Sequence, residues 1–272
     1  MTTPPVVLSV AGTDSGGAAG TAADLTTFAA LGVHGACVVT AVTAQHTLGV
    51  DAIHPVPLEV VSAQLSAVLD DLPVAAVKTG MLGSAEAVRL VAERCAGLPL
   101  VVDPVLVATS GAVLGGKAVR DAYLRSLLPV ATVVTPNLTE AAALAGADAA
   151  GGRAQPAELA KRLAGHGCGV LLTGGPEWRP GDVADTCTDW LALPDGTVQR
   201  LQHSTLATTN DHGTGCTFSA AVAALLAHGH ELESAAEMAA GFTTTQLARG
   251  SAWRLGRGRG PIAHVNELRS TR

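Results

Sequence analysis

The run Asp211-His212-Gly213-Thr214-Gly215-Cys216 stands directly before an alanine-rich segment with helical character. Its chemistry is that of an anion site. First-turn N–H groups of a helix lack intrahelical acceptors, the helix dipole favours negative charge, and glycines let a ligand reach the main chain. Gly213, Thr214, Gly215 and Cys216 are therefore the expected catalytic turn, with main-chain donors that stabilise a phosphoryl group in transfer. Cys216 is the expected base, its thiol pKa lowered from about 8.5 by the helix N-terminus.

Other candidates follow aliphatic runs. Gln45 comes after "VVTAV", and its amide offers the paired donor and acceptor that read the edge of a heteroaromatic ring. Met81, after "AAVKTG", fits an adaptable apolar wall and equally a core filler. Asn137 and Glu140, three apart at the opening of a helix, match a capping box. The same spacing suits an amide and a carboxylate that hold a hydrated Mg²⁺ near nucleotide phosphates, with Asp103 after "LVV" as another oxygen ligand. Residues 11–24, "AGTDSGGAAGTAAD", form a glycine-rich turn between a strand and a helix, matching neither the dinucleotide fingerprint nor the Walker A pattern.

The elements that must position these residues alternate. "VVLSVAG" reads as a strand and "TAADLTTFAALG" as a helix with Leu25, Phe28 and Leu31 at helical spacing. "VVTAV" is the next strand, and "PLEVVSAQLSAVLDD" a helix with Val61, Leu65, Val68 and Leu69 on one face. Strands "AAVKTG", "LVVDPV", "ATVVT" and "GVLLTGG" follow, separated by helical segments. Two alternating stretches flank Asp195-Gly196, a hairpin expected at a sheet edge. Two alanine-rich helices end the pattern. The expectation is an α/β chain with a mainly parallel sheet covered on both faces and a small edge hairpin. No repeat or long linker divides residues 1–272, so one domain is expected.

Composition narrows the function. Seventeen Lys and Arg against 23 Asp and Glu leave a net charge of −6, which argues against a nucleic-acid partner. No run reaches the roughly 20 apolar residues of a bilayer span and the first residues do not read as a signal peptide, so a cytoplasmic protein is expected. Five scattered cysteines without a C-x-x-C pair suggest neither disulfides nor structural zinc; apart from Cys216 they read as small buried hydrophobes.

Six segments carry a family likeness over nearly the whole chain: "AGTDSGGAAGTAADLTTFAALG", "VTAVTAQHTLGV", "VKTGMLGS", "VVDPVLVATSG", "VTPNLTEAAALAG" and "HGTGCTFSAAVAALLAHG". In this order they resemble the hydroxymethylpyrimidine/phosphomethylpyrimidine kinases of thiamine synthesis, in the ribokinase-like superfamily. The resemblance implies a three-layer α/β/α fold, a homodimer, and transfer of the γ-phosphoryl group of Mg-ATP to a pyrimidine hydroxymethyl and then to its monophosphate. Pyridoxal is the nearest alternative substrate. By position, Gln45 would bond the pyrimidine, with Ala19, Asp24 and Met81 completing its pocket. Asp103, Asn137 and Glu140 would organise magnesium and phosphates. The chain departs from the family where Thr173 and Thr109 stand in place of lysines, where "AAGFTTTQ" lacks one, where Pro176 replaces a histidine and where Arg257 and Arg259 replace two histidines. Ala22 also stands in place of a glutamine. Lys117, Arg120, Arg257 and Arg259 are the candidates to supply the missing charge.

Overall fold

A computed structural model describes residues 3–106, 116–146, 155–174 and 186–264. Thr109 and Pro176 lie outside the described residues. Strand β1 (Val6–Ala11) is buried throughout, as an aliphatic run interrupted only by Ser9 requires of a central strand in a covered parallel sheet. It is followed by α1 (Gly20–Ala30), β2 (His34–Val39), β3 (Ala41–His46), β4 (Gly49–Pro55), α2 (Leu58–Leu69), β5 (Val74–Thr79) and α3 (Ala85–Arg94). Then come β6 (Leu100–Val102), α4 (Lys117–Ala122), β7 (Val133–Val134), α5 (Leu138–Ala145), α6 (Pro156–Ala164) and β8 (Gly169–Leu172). The last elements are β9 (Thr186–Ala192), β10 (Val198–Ser204), α7 (Thr214–Ala227) and α8 (Leu232–Gly250).

The main sheet has the order β10-β9-β8-β7-β6-β5-β1-β2. Strands β2, β1, β5, β6, β7 and β8 pair in parallel, whereas β9 and β10 run antiparallel at the edge. The Asp195-Gly196 hairpin is thus at the expected edge. Two aliphatic cores lie on opposite faces. One includes Leu65, Val88, Tyr123, Leu144 and Leu163 from the middle helices; the other includes Phe28 with Ala220, Val222, Ala224, Ala235 and Ala239 from α1, α7 and α8. Alanine and glycine at α7 and α8 permit the close packing of these two helices. These are the three layers of an α/β/α sandwich.

"VVTAV" is not one strand. The chain breaks at Thr40, whose N–H bonds Ala11 O while its carbonyl receives Val56 N–H. Val38 and Val39 stay in the main sheet, and Ala41 onward joins β4 in a separate two-stranded sheet. Strand β4 escapes a pattern reading because its residues are half-buried or exposed, which leaves no buried face to impose alternation. This hairpin carries Gln45 over the carboxyl end of the sheet. Parallel order on both sides of β1 places the crevice there, as α/β topology dictates.

Candidate active site

A cavity of about 880 Å³ opens at the carboxyl ends of the strands. Its walls include Gly12 and Asp14 after β1, Gly80 and Met81 after β5, Asp103 after β6, Asn137 and Glu140 at α5, and Thr173 after β8. Gln45, Ala19 and the turn Gly213–Cys216 also line it. Every predicted site residue except Asp24 therefore reaches one cavity.

Two glycines make the central approach. Gly20 has φ +58 with the Gly12 carbonyl where a Cβ would lie, and Gly213 has φ +90 with the Ala18 carbonyl in the corresponding place. Only glycine suits such positions. They bring the N-termini of α1 and α7 together, so that the Gly20 N–H reaches the Cys216 sulfur. At the first turn of α7 the ordinary ladder starts with Thr217 N–H to Gly213 O, 2.8 Å. Gly215 and Cys216 lie in the turn whose N–H groups lack intrahelical acceptors, and both face the cavity.

Asp14 organises the glycine-rich loop. Its carboxylate accepts the N–H groups of Gly16 (2.8 Å), Ala18 (3.1 Å) and Ala19 (2.9 Å). Ala19 thus contributes wall rather than a donor. Although burial raises the Asp14 pKa, its bonds to His212 and these amides hold it below the usual carboxylate range. His212 Nε2 lies 3.3 Å from Asp14 Oδ2 and 3.0 Å from Gln45 Nε2. One ring nitrogen cannot donate to a carboxylate and accept from an amide. A proton on Nε2 satisfies Asp14 and requires Gln45 to turn its oxygen to the ring, which leaves the amide NH₂ for a ligand. The Met81 methyl packs against Gly12 beside them.

Asp24 is elsewhere. It is fully buried beneath the cavity floor, accepting from Ser9 Oγ (2.6 Å) and Lys78 Nζ (2.7 Å). Its carboxylate serves an ion pair, correcting the expectation that it walls the pyrimidine pocket; an uncompensated charge at zero exposure would be costly, and Lys78 is what compensates it. Lys78 Nζ also lies 3.7 Å from Asp103 Oδ2. Burial alone would push the Lys78 ammonium down, but Asp24, Cys216 and Asp103 outweigh it and hold it up.

The thiol expectation is also corrected. Burial pushes Cys216 up to about 12; Lys78 opposes this, while Asp103 and Asp24 add to it. Desolvation outweighs the helix terminus. The free site therefore holds a neutral thiol, hydrogen-bonded to Asp103. Asp103 also receives Ser219 Oγ at 3.2 Å, and burial raises its own pKa.

Asn137 and Glu140 form the full capping box: Asn137 Oδ1 accepts Glu140 N–H and Glu140 Oε2 accepts Asn137 N–H, each at 2.9 Å. Burial and the charge of Asp103 push Glu140 up to about 8. Two buried carboxylates, one of which raises the proton affinity of the other through its charge, form a donor set suited to a hard divalent cation.

Of the replacement cations, Arg259 reaches the cavity, where it binds Asp211 through both Nε and Nη2. Among the described residues lining the cavity it is the one Lys or Arg. Arg257 donates its N–H to Thr47 Oγ1 at the β3–β4 turn, and Arg120 faces Asp121 at 3.6 Å. No spacing or motif in the sequence gives Asp14, His212 or Lys78 a role. The first two lay inside the quoted loops, but only contacts across 198 residues reveal their pairing.

An α/β/α sandwich whose cavity, at the carboxyl ends of the strands, is lined by Gln45 and the N-terminal turn of α7 is the architecture of the ribokinase-like kinases. The sequence matches the phosphomethylpyrimidine kinase family model over residues 14–263, and the chain belongs to that family. It is 44% identical over 263 residues to the hydroxymethylpyrimidine/phosphomethylpyrimidine kinase of Rhizobium meliloti, covering 96% of this chain and 97% of the relative. Among solved structures it resembles the ADP complex of Bacillus subtilis pyridoxal kinase, with TM-score 0.86 and 32% identity over 96% of this chain and 98% of that one. Clostridium difficile phosphomethylpyrimidine kinase gives TM-score 0.73 and 31% identity over 89% and 98%. No helix among the described residues is long and apolar enough to cross a membrane.

Proposed function

We propose that this kinase phosphorylates 4-amino-5-hydroxymethyl-2-methylpyrimidine and then its monophosphate, with ATP as donor. The observation that carries this reading is the shared cavity of Gln45 and the Gly213–Cys216 turn. Gln45, oriented by His212 and Asp14, reads the ring, and Met81 supplies the apolar wall. The transferred group travels toward the first-turn amides of α7, where preorganised donors meet its developing charge.

In the alcohol step, Cys216 Sγ is the base that takes the hydroxyl proton, its own proton having left to solvent and the charge of Lys78 favouring the thiolate. In the second step the acceptor phosphate, with a pKa near about 6, is already an ionised nucleophile at neutral pH. A neutral thiol does not repel it, as a carboxylate would. Asp103 and Glu140 would hold Mg²⁺, with Asn137 orienting Glu140 through the capping box. When bound, that ion supplies positive charge to the nucleotide phosphates. Arg259 is the cation offered from the C-terminal segment. The reading includes residues 1–272 as one kinase domain in a cytoplasmic homodimer, whose mass sedimentation would measure.

The test is ADP release measured in parallel with hydroxymethylpyrimidine, its monophosphate and pyridoxal. The first two are expected to turn over. Preference for pyridoxal would support the second reading, favoured by the likeness to pyridoxal kinase. Cys216→Asp is expected to keep alcohol phosphorylation and lose the second step, and retention of both rates would refute the thiol's role. Cys216→Ala should lower the alcohol rate by about 10²-fold or more. Gln45→Ala should raise the pyrimidine KM roughly tenfold while changing kcat less.

A further inference from the structure

Cys187, Asp189 and His203 form a cluster that the kinase reading does not use. Cys187 and Asp189 are two apart on β9, so their side chains share one face of the strand. His203 on β10 stands opposite Cys187 in the antiparallel register. One ligand atom from each, the thiol sulfur, a carboxylate oxygen and an imidazole nitrogen, lies within 4.8 Å of the others. All three residues line the large cavity. Cys187 and Asp189 are buried, at 8% and 4% exposure.

The surrounding bonds orient this set toward a common point. His203 Nδ1 lies 3.3 Å from the Ser204 carbonyl, a contact that turns Nε2 toward Asp189; the proton Nε2 shares with that carboxylate in the free chain leaves when a metal takes its place. Nε2 is 3.1 Å from Asp189 Oδ2. Ligands about 2.0–2.1 Å from a tetrahedral zinc stand about 3.3 Å apart, close to this separation. The other Asp189 oxygen, Oδ1, accepts Gly174 N–H at 3.1 Å. Such outer bonds, one on the imidazole and one on the carboxylate, are the pattern that holds metal ligands in place.

We infer that Cys187, Asp189 and His203 form a zinc-binding site at the edge hairpin, with the fourth position open to the cavity and filled by water. The ligand types decide the metal. A thiolate with an imidazole selects zinc over magnesium or calcium, which prefer all-oxygen shells. Three protein ligands with one open position describe an exchangeable site rather than a closed structural one. On binding, the thiol proton and any second proton on the imidazole leave to solvent. The site shares no residue with the proposed phosphoryl-transfer machinery, so its test stands apart from any kinase assay.

The experiment titrates the reduced full chain with Co²⁺ in excess Mg²⁺ and then adds Zn²⁺. One equivalent of Co²⁺ should produce a thiolate-to-cobalt charge-transfer band that Zn²⁺ abolishes. Cys187→Ser should remove the band, whereas Cys216→Ser should retain it. His203→Gln, judged folded by circular dichroism, should weaken Zn²⁺ binding roughly tenfold or more. Absence of the band in the unaltered chain, or its persistence in Cys187→Ser, overturns the inference. So does unchanged Zn²⁺ affinity in His203→Gln.

Discussion

Two ion pairs flank the α7 turn and belong to different physical regimes. Beneath it, Lys78 and Asp24 have side chains at 0% exposure, with Asp103 at 7%. At the cavity rim, Arg259 and Asp211 pair at 51% and 30% exposure. The buried group has no water to replace a lost partner, whereas the rim pair does. The first therefore governs whether the floor of the site exists, and the second what charge the site presents to a ligand.

Lys78→Met should break this contrast most sharply. It leaves Asp24 and Asp103 buried without their cation and should cost about 3–5 kcal/mol in denaturant unfolding. Adding Asp24→Asn should recover part of the loss. If Lys78→Met proves neutral, the floor is not held by charge.

A second measurement sharpens the burial side. His264 Nε2 is 2.8 Å from Thr217 Oγ1 on α7, and burial pushes the imidazole down to about 4. Because the unfolded chain takes up this proton near pH 6.5 and the folded chain does so only near 4, stability should be full above 6.5. It should fall between those values, by roughly 2–3 kcal/mol. His264→Asn should flatten that part of the stability–pH curve; an unchanged slope would exclude His264 as its source.

The smallest stability effect belongs to the rim. Arg259→Ala should alter unfolding free energy by less than about 1 kcal/mol, since water and salt already screen the pair. Its expected signature is a nucleotide KM raised roughly tenfold. A large loss of stability with unchanged KM would place Arg259 with the buried network instead.

Much of this division was readable in the chain. The valine-rich run Val6–Val10 and the glycines around Cys216 specified a covered strand and a turn that opens a helix without reference to distant residues. The Asn137–Glu140 spacing likewise specified its capping box, a contact within one helical turn. The β3–β4 hairpin was not readable, because its outward face lacks a burial pattern. Nor was the fate of Asp24, which looks like any carboxylate near a glycine-rich loop until Lys78, 54 residues away, lies beside it.

Local chemistry thus determined the turn, the caps, the aliphatic strands and, through their ordered motifs, the family. Packing alone decided which charges were sealed and which faced the cavity. It also decided the protonation of Cys216: a residue's type sets its intrinsic proton affinity, but desolvation and neighbouring charges arise only when distant segments meet. The proximity of Cys187 and Asp189 follows from strand alternation. Their meeting with His203 required the hairpin register that brings β10 back along β9.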